Sequence, residues 1–210
     1  DQPRSRGLGD VYKRQLYYRA LRGPGKRWLN LRDLCAHSLP HEEIHRIRYF
    51  TARVSARRTG DHDPQRQDVY LRALESVPNL HIHYGHYLSS QPTMKRVDPP
   101  GDFVKVFKSE EKGSDVNLAS YLLLDAFRSD AETFVVLSND TDLVEPLRIV
   151  KHELGMRTGA LYPHRTSSGA LRTADPDFFR VLKATDIRAS QFPDSVQLSD
   201  GSKVTKPPGW

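Results

Sequence analysis

The stretch TFVVL at residues 133–137 constrains the fold more than any other part of this sequence. It is a continuous apolar run, typical of a strand that is buried on both faces of a parallel sheet. Helical patterns lie on either side of it, at residues 116–127 and 143–154, and a further strand pattern follows at residues 157–161. Strands that alternate with helices of this length indicate βαβ units. We therefore predict an α/β protein, a three-layer α/β/α sandwich with a mostly parallel central sheet.

The rest of the chain continues this alternation. A helix is predicted to open at residues 16–21, further helices are predicted at 29–39 and around 69–74, and strands are predicted at 46–54, 80–87 and 103–107. A turn rich in Ser and Pro joins the last two of these strands. Residues 186–210 show no periodicity, and we predict an irregular tail that packs on the outside of the domain.

The first fifteen residues are predicted not to be native protein sequence. Asp10 to Gln15 is what the codons GAT GTG TAT AAG AGA CAG encode, which resembles the end sequence used in transposase-based sequencing libraries. Ser5 to Gly9 match the adjoining adapter in the same frame. We therefore exclude residues 1–15 from the fold prediction as a processing scar. The alternative is a disordered basic arm that binds nucleic acid.

Size and composition limit the class of protein. A chain of 210 residues can bury one sizeable core. No apolar run approaches the roughly 18 residues of a membrane span, so we expect no membrane partner. The single cysteine, Cys35, fits a reducing compartment, and we expect a cytoplasmic protein. The net charge is +6 and unevenly spread: residues 16–60 hold 10 Lys and Arg against 3 Asp and Glu, whereas residues 61–210 hold 18 against 21. This suits a polyanion partner or an ordinary solvated surface.

A first acidic cluster directly follows the apolar strand that ends at Leu137. In open parallel sheets, sites form beyond the carboxyl ends of the strands. Ser138, Asp140 and Asp142 lie on the turn that leads into the next helix, so both carboxylates can face outward. Hard oxygen ligands of this kind suit Mg²⁺ or Mn²⁺. Alternatively, Asp140 or Thr141 is simply the N-cap of that helix.

A second acidic cluster, SEEKGSDVNLA, follows the predicted strand at residues 103–107. Asp115 could cap the next helix and also reach the same pocket. Lys112 beside Gly113 supplies a cation and a close backbone approach for a phosphate or a carboxylate. Asp125 lies in an otherwise apolar helical segment, where a carboxylate needs a partner. It could approach the metal site or form hydrogen bonds near the surface.

The two clusters together carry a family resemblance. EEKGSDVNLASYLLLDA and FVVLSNDTDL resemble the KGxD and S(N/G)DxD motifs of the NYN family, in the same order and at a similar separation. LYYRAL resembles the segment that follows the opening strand of that family, and RYFTARVS, HYGHY and KPPGW resemble one bacterial branch. The resemblance covers nearly all of residues 16–210. It implies a PIN-like ribonuclease in which acidic side chains gather one or two divalent ions, Mg or Mn.

The resemblance also implies roles for particular residues. The catalytic and metal-ligand candidates are Asp115, Asp140 and Asp142, with Lys112 as a phosphate or carboxylate neighbour and Asp125 as a further candidate ligand. Ser138, Asn139 and Thr141 would shape the turn. Arginines of the basic segment could hold the RNA backbone, or could equally face solvent; they are Arg46, Arg48, Arg53, Arg57 and Arg58.

The sequence departs from the family pattern at its beginning. The first acidic ligand of the family lies on its opening strand, and residues 1–15 stand in that place. We therefore expect residues 16–185 to form an NYN domain that lacks its first strand and exposes two unpaired strand edges. This chain is expected to fold poorly and to cleave weakly or not at all.

Two other functions remain open from the sequence. The first is a non-catalytic RNA-binding or regulatory module of the same fold, and the second is a phosphatase or nucleotide-binding enzyme. Clustered carboxylates favour catalysis over pure binding, and the sequence has no glycine fingerprint for a nucleotide. His81 and His83 lie on one face of a predicted strand, but no third spaced ligand supports a zinc site. The sequence leaves open whether the protein forms a homodimer.

Overall fold

The computed structural model describes the backbone of residues 6–12 and, with side chains, residues 21, 25–56, 60–98, 100–163 and 169–210. The helix predicted to open at residues 16–21 lies outside the described residues, except for Leu21. Among the described residues, no helix is long and apolar enough to cross a bilayer.

A seven-stranded sheet forms the middle layer. The described part of the chain has these strands, of which β4, β5, β10 and β11 lie outside the large sheet: β1 (Arg6–Tyr12), β2 (Glu43–Ala52), β3 (Leu80–Ser90), β4 (Thr93–Lys95), β5 (Phe103–Lys105), β6 (Lys108–Lys112), β7 (Thr133–Leu137), β8 (Arg157–Tyr162), β9 (Phe178–Val181), β10 (Ser195–Gln197) and β11 (Lys203–Thr205). The order in the large sheet is β6-β3-β2-β1-β7-β8-β9. Its neighbouring strands are parallel, except for the antiparallel pair β3 and β6.

Helices cover both faces of this sheet. They are α1 (Leu31–Ser38), α2 (Asp63–Glu75), α3 (Ser114–Phe127), α4 (Val144–His152) and α5 (Ala184–Ala189), with 3₁₀ helices at Thr141–Leu143 and Ala170–Ala174. One core cluster includes buried residues of α1, α2 and α5, and the other includes those of α3 and α4. The predicted three-layer α/β/α sandwich with a mostly parallel sheet is confirmed.

The sequence explains the start of α1 and the burial of β7. The Asn30 side chain accepts hydrogen bonds from the backbone N–H groups of Arg32 and Asp33, which caps α1. β7 is buried at every position, as its unbroken apolar run predicts.

The first-strand position is filled. β1 lies between β2 and β7, with Val11 opposite Tyr49 on one side and Leu137 on the other. Residues 6–12 therefore fill the position that was expected to be open, and the expected pair of unpaired strand edges is not present there. That the domain lacks the first strand of its family stays a prediction. An open position at the centre of the sheet would leave two rows of backbone N–H and C=O groups unpaired, and residues 6–12 supply their partners.

The C-terminal tail is not irregular and does not merely pack outside the domain. β10 and β11 form an antiparallel hairpin, and their Val196 and Val204 are buried in the same core cluster as Trp28. The ring centroid of Trp210 lies 6.5 Å from that of Trp28 and 5.8 Å from that of Tyr70. Short strands of three residues carry too little periodicity to be found in a sequence.

The predicted turn between residues 87 and 103 is a longer structure. β3 pairs with β2 as far as Gly85 opposite Ala52, and its remaining residues pair with β6. Between these two strands lies the small hairpin of β4 and β5. We call residues 86–112 the β arm, and it projects beyond the end of β2.

Candidate functional site

The carboxyl edge of the sheet has a topological switch point at β1. The chain passes from β1 to β2 and β3 on one side, and β7 and β8 lie on the other side. In an open α/β sheet, the crevice at such a point is the usual binding site. The turn after β7, residues 138–142, lies directly at this edge.

Hydrogen bonds hold this turn in shape. The fully buried Ser138 Oγ accepts from the backbone N–H of Asp140 at 3.0 Å, and Asp140 Oδ1 accepts from the backbone N–H of Asp142 at 3.2 Å. Asp140 is therefore the N-cap of the 3₁₀ helix Thr141–Leu143, as the alternative interpretation of the sequence proposed. A carboxylate has about four lone-pair positions, so the N-cap hydrogen bond does not use all the acceptor positions of Asp140. The Asp142 side chain is exposed.

The structure brings Asp115 to the same edge. Asp115 lies in the first turn of α3 and is half-buried. α3 packs against the 3₁₀ helix Thr141–Leu143, and Leu118, one turn after Asp115, shares a core cluster with Leu143. The two acidic motifs therefore meet at one end of the sheet. Lys112 is exposed, and its Nζ lies 3.4 Å from a carboxylate oxygen of Glu110.

Asp125 does not belong to this edge. It lies ten residues after Asp115 on α3, which places it about 15 Å further along the helix axis. Its side chain is fully buried and accepts two hydrogen bonds from Arg48, at 2.5 and 2.7 Å. Arg46 Nη1 lies 3.3 Å from the same carboxylate. The assignment of Asp125 as a metal ligand is wrong, because a buried carboxylate there is neutralised by two guanidinium groups.

The same contacts correct the assignment of two arginines. Arg46 also binds Asp130 at 3.0 Å, and the guanidinium of Arg48 lies 4.5 Å from the ring centroid of Tyr121. Both side chains are largely covered, so the prediction that they hold an RNA backbone is wrong. Arg53 is exposed and pairs with Asp68 at 3.0 Å, and its role in RNA binding stays a prediction. Arg57 and Arg58 lie outside the described residues.

His83 belongs to this buried network. Its ring stacks on Phe50 at 4.9 Å between centroids and lies 4.2 Å from Tyr121. Arg48 Nη1 lies 3.1 Å from His83 Nε2, and since a guanidinium only donates, Nε2 accepts. Burial, followed by the charges of Arg48 and His81, lowers the pKa of His83 to about 4. His83 is therefore neutral and structural at ordinary pH.

Sequence reasoning missed this network, although a signal for it was present. Asp125 in an apolar helix requires a cation. Arg46 and Arg48 lie two residues apart in a strand and so share one face, with apolar Ile47 on the other. The pairing depends on which helix covers that face, which the local pattern does not encode.

The fit of a divalent ion can be tested on the described side chains. Carboxylates at the carboxyl edge have the right donor chemistry for Mg²⁺ or Mn²⁺. However, within the part of the chain whose side chains are described, no three His, Cys, Asp or Glu residues gather as a metal site. Asp10 lies in β1 opposite Val136 and Arg48, in the strand where the family has its first ligand, and its side chain is outside the described set. The described residues thus do not form a complete metal site.

Comparison with known proteins identifies the family. The model of the NYN domain matches residues 11–182. The chain belongs to the NYN domain family. This NYN domain is also 30% identical to the 6-hydroxy-3-succinoylpyridine 3-monooxygenase HspA of Pseudomonas putida, over 92% of this chain and 72% of that protein.

A solved structure supports the fold of this NYN domain. A protein of unknown function from Vibrio parahaemolyticus matches with a TM-score of 0.54 and 13% identity, over 87% of this chain and 96% of that chain. At this identity the likeness concerns the fold alone. It agrees with a PIN-like α/β arrangement for the NYN chain.

Proposed function

We propose that this NYN protein is a ribonuclease that hydrolyses phosphodiester bonds of RNA and requires Mg²⁺ or Mn²⁺. The observation that carries the proposal is the meeting of the two family motifs at the switch point of the sheet. Asp115 at the start of α3 and Asp140 and Asp142 after β7 lie at one edge, beside β1. Acidic side chains at such an edge serve hard divalent ions better than they serve an anionic substrate.

The proposal assigns parts to the residues of the chain. Asp115, Asp140 and Asp142 are the ligand candidates, and Ser138 fixes the turn by its hydrogen bond to the Asp140 N–H group. Asn139 and Thr141 support that turn, and Lys112 is the candidate cation for a phosphate. Because three gathered ligands are not present among the described side chains, ion binding requires a contribution from the first strand or a closer approach of these carboxylates.

We place the protein in the cytoplasm.

A second candidate function follows from a specific observation. The Pseudomonas putida relative is named as a monooxygenase of 6-hydroxy-3-succinoylpyridine, and it matches this chain over most of its length. Hydroxylation of a nitrogen heterocycle is therefore a candidate for this chain as well. Such a reaction puts one atom of O₂ into the ring and reduces the other to water with two electrons from a reductant.

The two functions are separated by one comparison of substrates. The protein is incubated with labelled single-stranded RNA and Mn²⁺, and in parallel with 6-hydroxy-3-succinoylpyridine, reduced nicotinamide dinucleotide and air. We expect weak formation of RNA fragments that stops when EDTA is added, and no consumption of the heterocycle. Consumption of the heterocycle that depends on both O₂ and reductant, without RNA cleavage, would establish the second function instead.

A further inference from the structure

The β arm exposes aromatic side chains that nothing in the described structure covers. Phe103 and Phe107 are 67% and 77% exposed. Exposed large apolar side chains that lie close together commonly mark an interaction site. Both residues lie in the sequence FVKVFK, where lysines separate the apolar positions.

The pairing of β4 with β5 places Phe103 and two of the lysines on one face. Lys95 is opposite Phe103, and Thr93 is opposite Lys105. Alternate residues of a strand and their direct partners share a face, so Lys95, Phe103 and Lys105 lie together. The Val106 N–H group still bonds to the Pro92 carbonyl at 3.1 Å, and Phe107 follows directly before β6 begins at Lys108. Met94 and Val104 lie on the other face.

This face has the charge for a polyanion. Within the described residues, neither Lys95 nor Lys105 has a carboxylate within ion-pair distance, and both side chains are exposed. Aromatic faces interleaved with lysines are the combination that binds single-stranded nucleic acid, because unpaired bases stack on the rings and phosphates contact the cations. A second copy of this chain would instead bring four lysines against one another.

The arm also lies at the right end of the molecule. β2 ends at Ala52 opposite Gly85, and five more residues of β3 extend the arm about 17 Å beyond the carboxyl edge. β6 then returns from the arm to Gly113 and the first turn of α3, where Asp115 lies. A strand of RNA on the arm therefore leads toward the acidic motifs.

We propose that the β arm is a binding platform for single-stranded RNA, with Phe103 and Phe107 as stacking surfaces and Lys95 and Lys105 as phosphate contacts. This inference rests on the proposed ribonuclease function, for which it names the form of the substrate. Double-stranded RNA binds less well, because its bases are already stacked and paired.

The test measures binding in the presence of EDTA, so that cleavage plays no part. Fluorescence anisotropy with a labelled oligouridylate is recorded for the full chain, for Phe103→Ala and for Phe107→Ala. We expect each substitution to weaken binding roughly tenfold, since stacking of one base on an aromatic ring accounts for about that factor. Phe127→Ala is the matched control, because Phe127 is 76% exposed at the far end of α3.

A second pair of variants tests the lysines. Lys95→Glu and Lys105→Glu should each lower the salt dependence of binding, by about 0.7 in the slope of log K against log salt. Lys203→Glu, an exposed lysine on β11, should leave that slope unchanged. Equal RNA affinity in the Phe103 and Phe107 variants and the Phe127 control would overturn the proposal.

Two further outcomes separate the claims. If the Phe variants change sedimentation but not RNA binding, the arm is an interface between copies, and the proposal is overturned. If RNA binding depends on the arm but RNA is never cleaved in Mn²⁺, even by a chain in which the opening strand of the Pseudomonas putida relative replaces residues 1–15, the platform stands and the ribonuclease function fails.

Discussion

At the scale of single residues, the buried pair of Arg48 and Asp125 is the feature with the clearest consequence. Asp125 is fully buried and Arg48 is 12% exposed. Removal of one partner leaves a buried charge without compensation, which typically costs about 3–5 kcal/mol. The pair links the centre of β2 to the end of α3.

We expect Asp125→Asn to lower the free energy of unfolding by about 3 kcal/mol or more, measured by urea denaturation. Asp130→Asn is the control, because Asp130 also binds Arg46 but is 29% exposed. Its loss should stay under about 1 kcal/mol. Equal stability of the two variants would contradict the prediction that the buried contacts of Asp125 stabilise the fold more than the exposed contact of Asp130. Mn²⁺ should stabilise Asp125→Asn as much as it stabilises the unsubstituted chain, since Asp125 is not a ligand.

His83 predicts a dependence of stability on pH. The pKa of His83 is lowered from 6.5 to about 4 in the folded state by burial and by Arg48 and His81. Below pH 6.5 the unfolded chain takes up a proton that the folded chain rejects until about pH 4. The contribution of His83 is therefore constant above pH 6.5 and is lost as the pH falls toward about 4.

The measurement compares unfolding free energies across that window. His83→Gln keeps an acceptor for Arg48 and removes the titrating ring, so its stability should fall less between pH 6.5 and pH 4 than that of the unsubstituted chain. His86→Gln, an exposed histidine on the same strand, is the control. An identical fall in the His83 variant and the unsubstituted chain would show that His83 is not held neutral.

At the scale of elements, the start of α3 depends on a close approach to β3. A Cβ atom at Gly85 would lie 2.6 Å from the Lys112 carbonyl oxygen and 2.7 Å from Ser114 Oγ. Ser114 also donates a hydrogen bond to Glu111. These contacts set the position of the turn that presents Asp115.

We expect Gly85→Ala to lower the free energy of unfolding by about 1–3 kcal/mol, because a backbone atom of the turn must move. Ser114→Ala added to Gly85→Ala removes one clash but not the one with the Lys112 carbonyl, so stability should return only in part. Thermal or urea denaturation measures both. Full recovery in the double variant would mean that the backbone is not the obstacle.

Sequence patterns located the long elements well and the short ones poorly. The helix around Leu118 and the strand at TFVVL span enough residues for their periodicity to be read. β5 lies within the strand predicted at residues 103–107. The three-residue strands β4, β10 and β11 are too short for a periodicity to be read, so the segment before β5 was predicted as a turn and the C-terminal hairpin as an irregular tail. The acidic motifs were found because each follows a strand or opens a helix. The partners of Asp125 were not, because they come from another layer.

At the scale of the whole molecule, the central place of β1 links folding to the site. Residues 6–12 pair with both β2 and β7. The strands that follow β1 in the sequence are first added on one side of it, as β2 and β3, and later on the other side, as β7 and β8. The strand that completes the sheet therefore also borders the acidic turn. A change in the sequence of this strand is therefore expected to alter the site and the core together.

The most direct test of the central claim is cleavage of single-stranded RNA in Mn²⁺ by a chain in which the opening strand of the Pseudomonas putida relative replaces residues 1–15. Asp140→Asn and Asp142→Asn are compared with Asp194→Asn, whose side chain is 87% exposed and remote from the carboxyl edge in sequence. We predict cleavage that requires Mn²⁺, is lost in the first two variants and is kept in the third. Cleavage that survives Asp140→Asn, or a folded protein that binds RNA and never cuts it, would contradict the account.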